Sequence, residues 1–213
     1  TITSLRNDAG NFTNSFGGTI TGTTTISGGT VTNNFVVTDV DVAATAAFVN
    51  NSGATAGNVR NAGTTSNAGT IASLQNDAGT LTNNSGGTVT GTTTISGGTV
   101  TNNFVVTDVD VAATAAFVNN SGAVASNVRN SGTVTNAGTV ASLQNDAGTF
   151  TNNGGGTVTG TTKINGGTVI NNDTLANVEI GAGGTFTNNS GATAGTITNT
   201  GTASDHQDIR RQP

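Results

Sequence analysis

TLTNNSGGTVTGTTTISGG (Thr80–Gly98), TVTNNFVVTDVDVAATA (Thr99–Ala115), AFVNNSGAVASNVRNSG (Ala116–Gly132) and TVTNAGTVASLQNDAG (Thr133–Gly148) are consecutive segments that open alike. Each has an apolar residue at its second position and asparagine at its fourth. Carried outward in both directions, the same phase places Asn14, Asn33, Asn50, Asn67, Asn83, Asn102, Asn119, Asn136, Asn152, Asn171 and Asn188 two residues after a mostly apolar position. The steps between them are 19, 17, 17 and 16 residues, and this order then repeats. One cycle of four steps is 69 residues long, so that Leu5, Leu74 and Leu143 are equivalent, as are Phe48, Phe117 and Phe186. Periods of this size mean stacked repeats, in which each unit buries its apolar face only against its neighbours.

Composition fits such a stack better than a globular core or a disordered chain. The 213 residues include 32 Gly, a single Pro and only 8% charged residues, and all the aromatics are Phe. Disorder usually goes with high net charge, whereas the formal charge is −5 and the apolar residues keep strict phase. No Cys is present, which excludes disulfides and thiolate metal sites. No apolar run is long enough to span a membrane as a helix, so no membrane insertion is expected. Six Lys and Arg against eleven Asp and Glu argue against a nucleic-acid partner. With no visible signal peptide and Thr at position 1, the chain reads as an internal segment of a longer protein.

Within each unit, Thr-Φ-Thr alternates its faces, with Φ inward and both flanks outward. A second apolar column holds Val89, Val106, Val140 and Leu175, and a third holds Ile95, Val111, Val128, Leu143, Ile180 and Ile197. Three short strands per coil of 16–19 residues follow, separated by Gly, Asn and Ser. Helices are not expected from a Gly-, Thr-, Asn- and Val-rich chain without a 3.6-residue period. Antiparallel hairpins would not return the same residue to the same phase. The expected fold is therefore all-β, a single parallel β-helix (β-solenoid) of about three cycles over residues 1–204, with 205–213 a charged tail that caps the stack or opens another segment. At a strand spacing of about 4.7–4.9 Å, about twelve coils make a rod roughly 55–60 Å long. The recurrent Asn is expected at a sharp turn where it tolerates the left-handed conformation. Its amide is expected to donate to the next Asn along the axis, an internal ladder that leaves the sequons at Asn50, Asn83, Asn119 and Asn188 unavailable; those at Asn11 and Asn172 can be exposed.

NAGTIASLQNDAGTLTNN (Asn67–Asn84) and NAGTVASLQNDAGTFTNN (Asn136–Asn153) resemble the repeat regions of large secreted bacterial adhesins, namely autotransporter passengers and filamentous-haemagglutinin-type proteins. The resemblance extends from Thr1 to about Thr202. It implies a right-handed coil and an extracellular or bacterial cell-surface location. A left-handed hexapeptide solenoid is the rival, encouraged by the six-residue steps Val128, Val134, Val140, although its strict 18-residue coil is not kept.

No constellation in the sequence reads as an active site, and neither an enzyme nor a cofactor is expected. Asp39 with Asp41, Asp108 with Asp110, and Glu179 fall in equivalent coils and read as the solvent side of a strand, too few together for a Ca²⁺ site. Asp8, Asp77 and Asp146 read as turn formers, and Arg60 and Arg129 as weak surface partners of Asp41 and Asp110. His206, the only histidine, has no partner base or ligand in sequence. Outward threonines are expected to form a surface-binding ladder of Thr-x-Thr pairs. The leading row is Thr30, Thr80, Thr99, Thr133, Thr149 and Thr185, and its mate is Thr32, Thr82, Thr101, Thr135, Thr151 and Thr187. The ladder is interrupted at Ala47 and Val49 and again at Ala116 and Val118. This array resembles the ice-binding face of insect-type antifreeze proteins. The leading expectation is a structural or adhesive repeat segment, a stalk or filament, with host-cell, glycan or self-association (end-to-end or lateral) as its partners. Ice binding through the Thr-x-Thr ladder and a phage tail-fibre segment are the alternatives.

Overall fold

A computed structural model of the protein describes residues 1–205, and within them every regular element is a β-strand. Most coils contribute one strand of four or five residues, such as Thr133–Asn136, and one of seven or eight, such as Thr139–Asn145. Each pairs in parallel with its equivalents in the coils before and after, as in Thr133↔Ala116 and Thr133↔Thr149. About twelve such coils stack into a solenoid without a helix. The expectations about His206 and the tail after it lie outside the described residues.

The three expected short strands are present, the second and third joined end to end as one longer strand. The longer strand supplies two sides of the coil by bending, and its pairing with neighbouring coils is interrupted for one residue at the bend, as at Ala141 between Val140 and Ser142. In Thr139–Asn145 the bend is visible as two successive outward residues, Ala141 and Ser142, between inward Val140 and Leu143; a straight strand would alternate strictly. The 19-residue coils carry one extra residue at this place, eight in the long strand of Thr88–Ile95 against seven in Val105–Val111. Between Val89 and Thr92 the register slips against Val106–Asp108, a β-bulge that carries Gly91. A Cβ on Gly91 would collide with the Ala72 carbonyl of the preceding coil, so the bulge requires glycine there.

Inside the coil, the apolar columns sort differently from the expectation. The first (Val100, Phe117, Val134, Phe150) and second (Val89, Val106, Val140, Leu175) are as expected, in register and buried. The third separates into two. Val128 and Leu143 align with Thr93 and Val109, whereas Ile95, Val111 and Ile180 align with Asn130, Asn145 and Ile164 at the following corner. Insertions of unequal length between the columns hid this split in the linear sequence. Volume is balanced in two of the coils: Phe48 and Phe117 share theirs with Ala56 and Ala125, all completely buried, so a large residue on one side meets a small one on another.

Asn at the end of each short strand forms an unbroken internal ladder. Asn83 Nδ2 donates to Asn102 Oδ1 at 2.8 Å, Asn102 to Asn119 at 2.9 Å and Asn119 to Asn136 at 2.8 Å. The same sense holds from Asn14 to Asn188, which donates to Asp205. Asp205 accepts but, as a carboxylate, has no hydrogen to pass on. The ladder residues do not occupy the left-handed region, contrary to the expectation: all positive φ angles belong to glycines, for example Gly122 at φ 79°. The chain turns on Gly, and Asn is retained for its amide. That amide also holds the corner itself, since Asn83 Nδ2 reaches the carbonyls of Gly87 and Val105, and Asn102 Oδ1 accepts from the Phe104 N–H.

Two stability predictions follow from these interior groups. Asn102→Ala leaves buried partners on both adjacent coils unpaired and is expected to cost about 1–3 kcal/mol or more, whereas Asn103→Ala, at a half-buried position, costs less; urea unfolding of both variants measures the difference. Thr24, Thr93 and Thr162 bury hydroxyls that have no hydrogen-bond partner in a column otherwise made of Val, Leu and Ile. Thr93→Val is therefore expected to stabilise the protein by about 1 kcal/mol or more, read as a raised Tm; a lowered Tm would show that the hydroxyl is satisfied.

Candidate functional site

With the interior closed, chemistry is left to the outward side chains, and two faces present ordered arrays. The first lies on the second half of the long strand. Side chains there form two rows across the coils: Thr92, Asp108, Asn127, Ser142 and Thr161 in one, Thr94, Asp110, Arg129, Gln144 and Lys163 in the other. Their backbones alternate with Val109, Val128 and Leu143, which point inward. Side chains standing from these rows enclose a cleft of about 480 Å³, which makes this face concave. One cycle earlier a cleft of about 540 Å³ is lined by the equivalents Asp39, Asp41, Asn58, Arg60, Ser73 and Gln75. A third hollow, of about 240 Å³, continues the face past Lys163 and Glu179.

Hydrogen bonds fix many of the lining groups. Ser142 Oγ donates to Asn127 Oδ1 and Asn127 Nδ2 to Asp108 Oδ1, both at 2.6 Å. The same chain joins Ser73, Asn58 and Asp39 at 2.6 and 2.8 Å. Sequence placed Arg60 and Arg129 beside Asp41 and Asp110, and the strands do align them, but the guanidinium groups turn the other way. Arg60 pairs with Asp77 at 2.5 Å and Arg129 with Asp146 at 2.6 Å. Asp77 and Asp146 are therefore ion-pair acceptors as well as turn residues. They sit one coil further on, where the corner brings a carboxylate within reach of the Arg Nε.

Asp146 collects the most interactions. Partial burial pushes its carboxyl up, but hydrogen bonds from Asn165, Arg129 and Gln144 outweigh this and hold it below the usual carboxylate range. The same contact with Asp146, together with the nearby Asp110 charge, raises the Arg129 guanidinium. In the first cycle Arg6 takes the place of Gln144, and its bond to Asp8 at 2.8 Å, with one from Ser27, lowers that exposed carboxyl.

The second array is the outer side of the short strands, where the expected threonine ladder is found in register but only partly open to solvent. Thr80 and Thr82 align with Thr99 and Thr101, and Thr133 and Thr135 with Thr149 and Thr151, in two parallel rows. Thr30 and Thr32 occupy the same rows, as do Thr185 and Thr187. The expectation that both flanks stand free in solvent is corrected for the second row. Thr32, Thr82, Thr101, Thr135, Thr151 and Thr187 are all half-buried, and so are Thr30, Thr99 and Thr185 of the leading row, where only Thr80, Thr133 and Thr149 are exposed. The cause is spacing: side chains stacked about 4.8 Å apart shield one another along the row, and Thr82, for example, is followed directly by the buried corner Asn83. Thr187 Oγ1 is in addition engaged, accepting from Ser204 Oγ at 3.3 Å. The rows are broken at Ala47 and Val49 and at Ala116 and Val118, and also by Ile170, which aligns with Thr151 and Thr187, and by Ser66, which aligns with Thr82.

Elsewhere, Phe16 projects almost wholly into solvent and meets Phe35 edge to face at 5.3 Å. Asn11 and Asn172 are exposed, though the Asn172 amide is engaged with Asn152 and Asn189. Among the described residues, Asp, Glu and His do not come together in groups of three or more, and no helix is long and apolar enough to cross a membrane.

The concave face was missed in sequence because its residues are dispersed through five coils. The available signal was the recurrence of polar–apolar–polar triplets (DVD, NVR, SLQ) at one phase. The chain matches no protein-family model, no curated protein and no solved structure.

Acid titration checks the Asp146 cluster. A carboxyl lowered in the fold contributes stability at pH values above its unfolded pKa, about 3.9, and loses that contribution as pH falls through the lowered value. Asn165→Ala is expected to move the Asp146 midpoint upward in side-chain NMR titration, toward the unfolded value, and to shrink the stability that this group loses on acidification; an unchanged midpoint would show that this bond does not hold the charge.

Proposed function

We propose that the chain is a rod-like structural segment, a stalk or filament repeat, of an extracellular bacterial surface protein, with an adhesive role for its outer faces. The observation that carries this reading is the unbroken, in-register Asn ladder from Asn14 to Asn188. It fixes coil on coil over the described length and leaves near-identical 69-residue cycles, an arrangement suited to holding distance and to presenting one surface many times. Repeated weak contacts add by effective concentration, which suits adhesion by a periodic surface. The bacterial and extracellular parts of the reading rest on the resemblance of Asn67–Asn84 and Asn136–Asn153 to adhesin repeats.

Immunogold labelling of intact cells of the source organism, with antibody raised against residues 1–205, tests the location. Label at or beyond the cell surface is expected; label confined to the cytosol would overturn the proposal.

The aligned threonine rows favour a second reading, ice binding. Neighbouring coils set hydroxyls and methyls about 4.8 Å apart along the axis and about 6.6 Å apart along the strand. The interruptions at Ala116, Val118 and Ile170 divide this lattice into short patches, and the half-burial of Thr82, Thr135 and Thr151 narrows each patch to little more than its leading row, which ranks the reading second. Thermal hysteresis at micromolar protein, abolished by Thr99→Leu with Thr101→Leu, would establish it in place of the stalk.

A further inference from the structure

We propose that the concave face is a binding groove for a linear, neutral polysaccharide lying along the solenoid axis. This rests on the reading of the chain as an exposed surface rod and names the ligand class of its adhesive function. Four features on that face point the same way. The two larger clefts, about 480 and 540 Å³, have closely similar linings one cycle apart, with Thr94 in place of Lys163, so a ligand that fits one meets most of the same groups again four coils further on, about 19 Å away. A ligand with its own repeat can use both; a compact small molecule cannot.

The lining is made for hydroxyl groups. It offers side-chain amides, hydroxyls and carboxylates that both donate and accept, and the Asp108–Asn127–Ser142 chain holds three of them in place before any ligand arrives, which reduces the ordering cost of binding. Charge is nearly balanced: Asp108 and Asp110 face an anionic polymer with repulsion, and Arg129 and Lys163 do the same to a cationic one. A neutral chain meets neither. Asp110 and Lys163, whose side chains make no hydrogen bond among the described residues, remain for the ligand.

A peptide is the less suitable occupant. Extended peptides gain affinity by adding a strand to a free sheet edge, and on this face the strands are already paired on both sides, Val124–Asn130 with Val105–Val111 and with Thr139–Asn145. Only side chains are left to recognise a ligand, and a polyhydroxylated chain is what side-chain amides and carboxylates recognise without help from the backbone.

The test uses the full chain with neutral hexasaccharides of β-1,4-linked glucose, mannose and N-acetylglucosamine, and with hexagalacturonate as the anionic comparison, by titration calorimetry and amide NMR. At least one neutral hexamer is expected to bind, to shift the Asn127 and Ser142 resonances, and to bind at least tenfold more weakly to Asn58→Leu with Asn127→Leu. Asp41→Ala with Asp110→Ala, at exposed positions that hold no other side chain in place, should weaken binding as well, which keeps the test valid if the leucine variant folds poorly. Thr99→Leu with Thr101→Leu, on the other face, should bind as the parent does. The proposal is overturned if no neutral hexamer binds, if hexagalacturonate binds more tightly, or if binding is indifferent to both groove variants. Such a failure leaves surface labelling unaffected, so it is distinguishable from failure of the stalk reading.

Discussion

Every coil depends on one small group, a primary amide on a one-carbon stem that must donate and accept at the same time. Asn has both functions within reach of the backbone, whereas Asp lacks the donor and Ser lacks the reach for several bonds at once. Asn83 shows what the amide does: it bonds the next coil's Asn102 and the carbonyls of Gly87 and Val105. Each rung therefore fixes axial register and corner geometry together. A slip of one residue would turn every inward side chain outward, and the ladder resists that slip at each coil. Because all rungs point the same way, the stack has a chemical direction that the backbone alone would not impose on its interior.

The apolar interior is subordinate to this frame. No coil has a core of its own; Phe117 is covered by Val100 and Val134 of the coils on either side. The pairing of Phe48 and Phe117 with Ala56 and Ala125 balances volume in those two coils. At the opposite corner a second, broken ladder does part of the same work. Asn61 bonds Asn76 and Asn130 bonds Asn145, both at 2.7 Å, with Ile95 and Val111 occupying the coils between these pairs.

The parallel stack and the main ladder were legible in sequence because Asn and its apolar neighbour two residues earlier recur at one phase, whatever the coil length. The second ladder was not, since Asn61 and Asn130 alternate with Ile and Val at the same corner and no single residue type marks the column. The joining of the second and third strands was less legible, because a one-residue break in pairing leaves only a pair of outward residues, such as Ala141 and Ser142, as its trace. The threonine rows were readable as outward positions, but alternation alone does not tell how far Thr135 or Thr151 is shielded by the coils beside it. Alignment of Asp110 with Arg129 was readable from the repeat, yet the choice of Asp146 over Asp110 depends on how the side chains leave the corner. The concave face is built by side chains from successive coils, so its cleft became visible only once the coils were stacked.

The account stands on the ladder amides being buried, bonded and inaccessible to water except when coils separate. Side-chain amide hydrogen exchange, followed by NMR on uniformly labelled protein, measures this directly. The Nδ2 protons of Asn102 and Asn119 should exchange many orders of magnitude more slowly than those of exposed Asn58 and Asn127, at a rate set by unfolding of the stack. Comparable rates for the two sets would contradict the account, because amides that exchange freely cannot be what holds the coils in register.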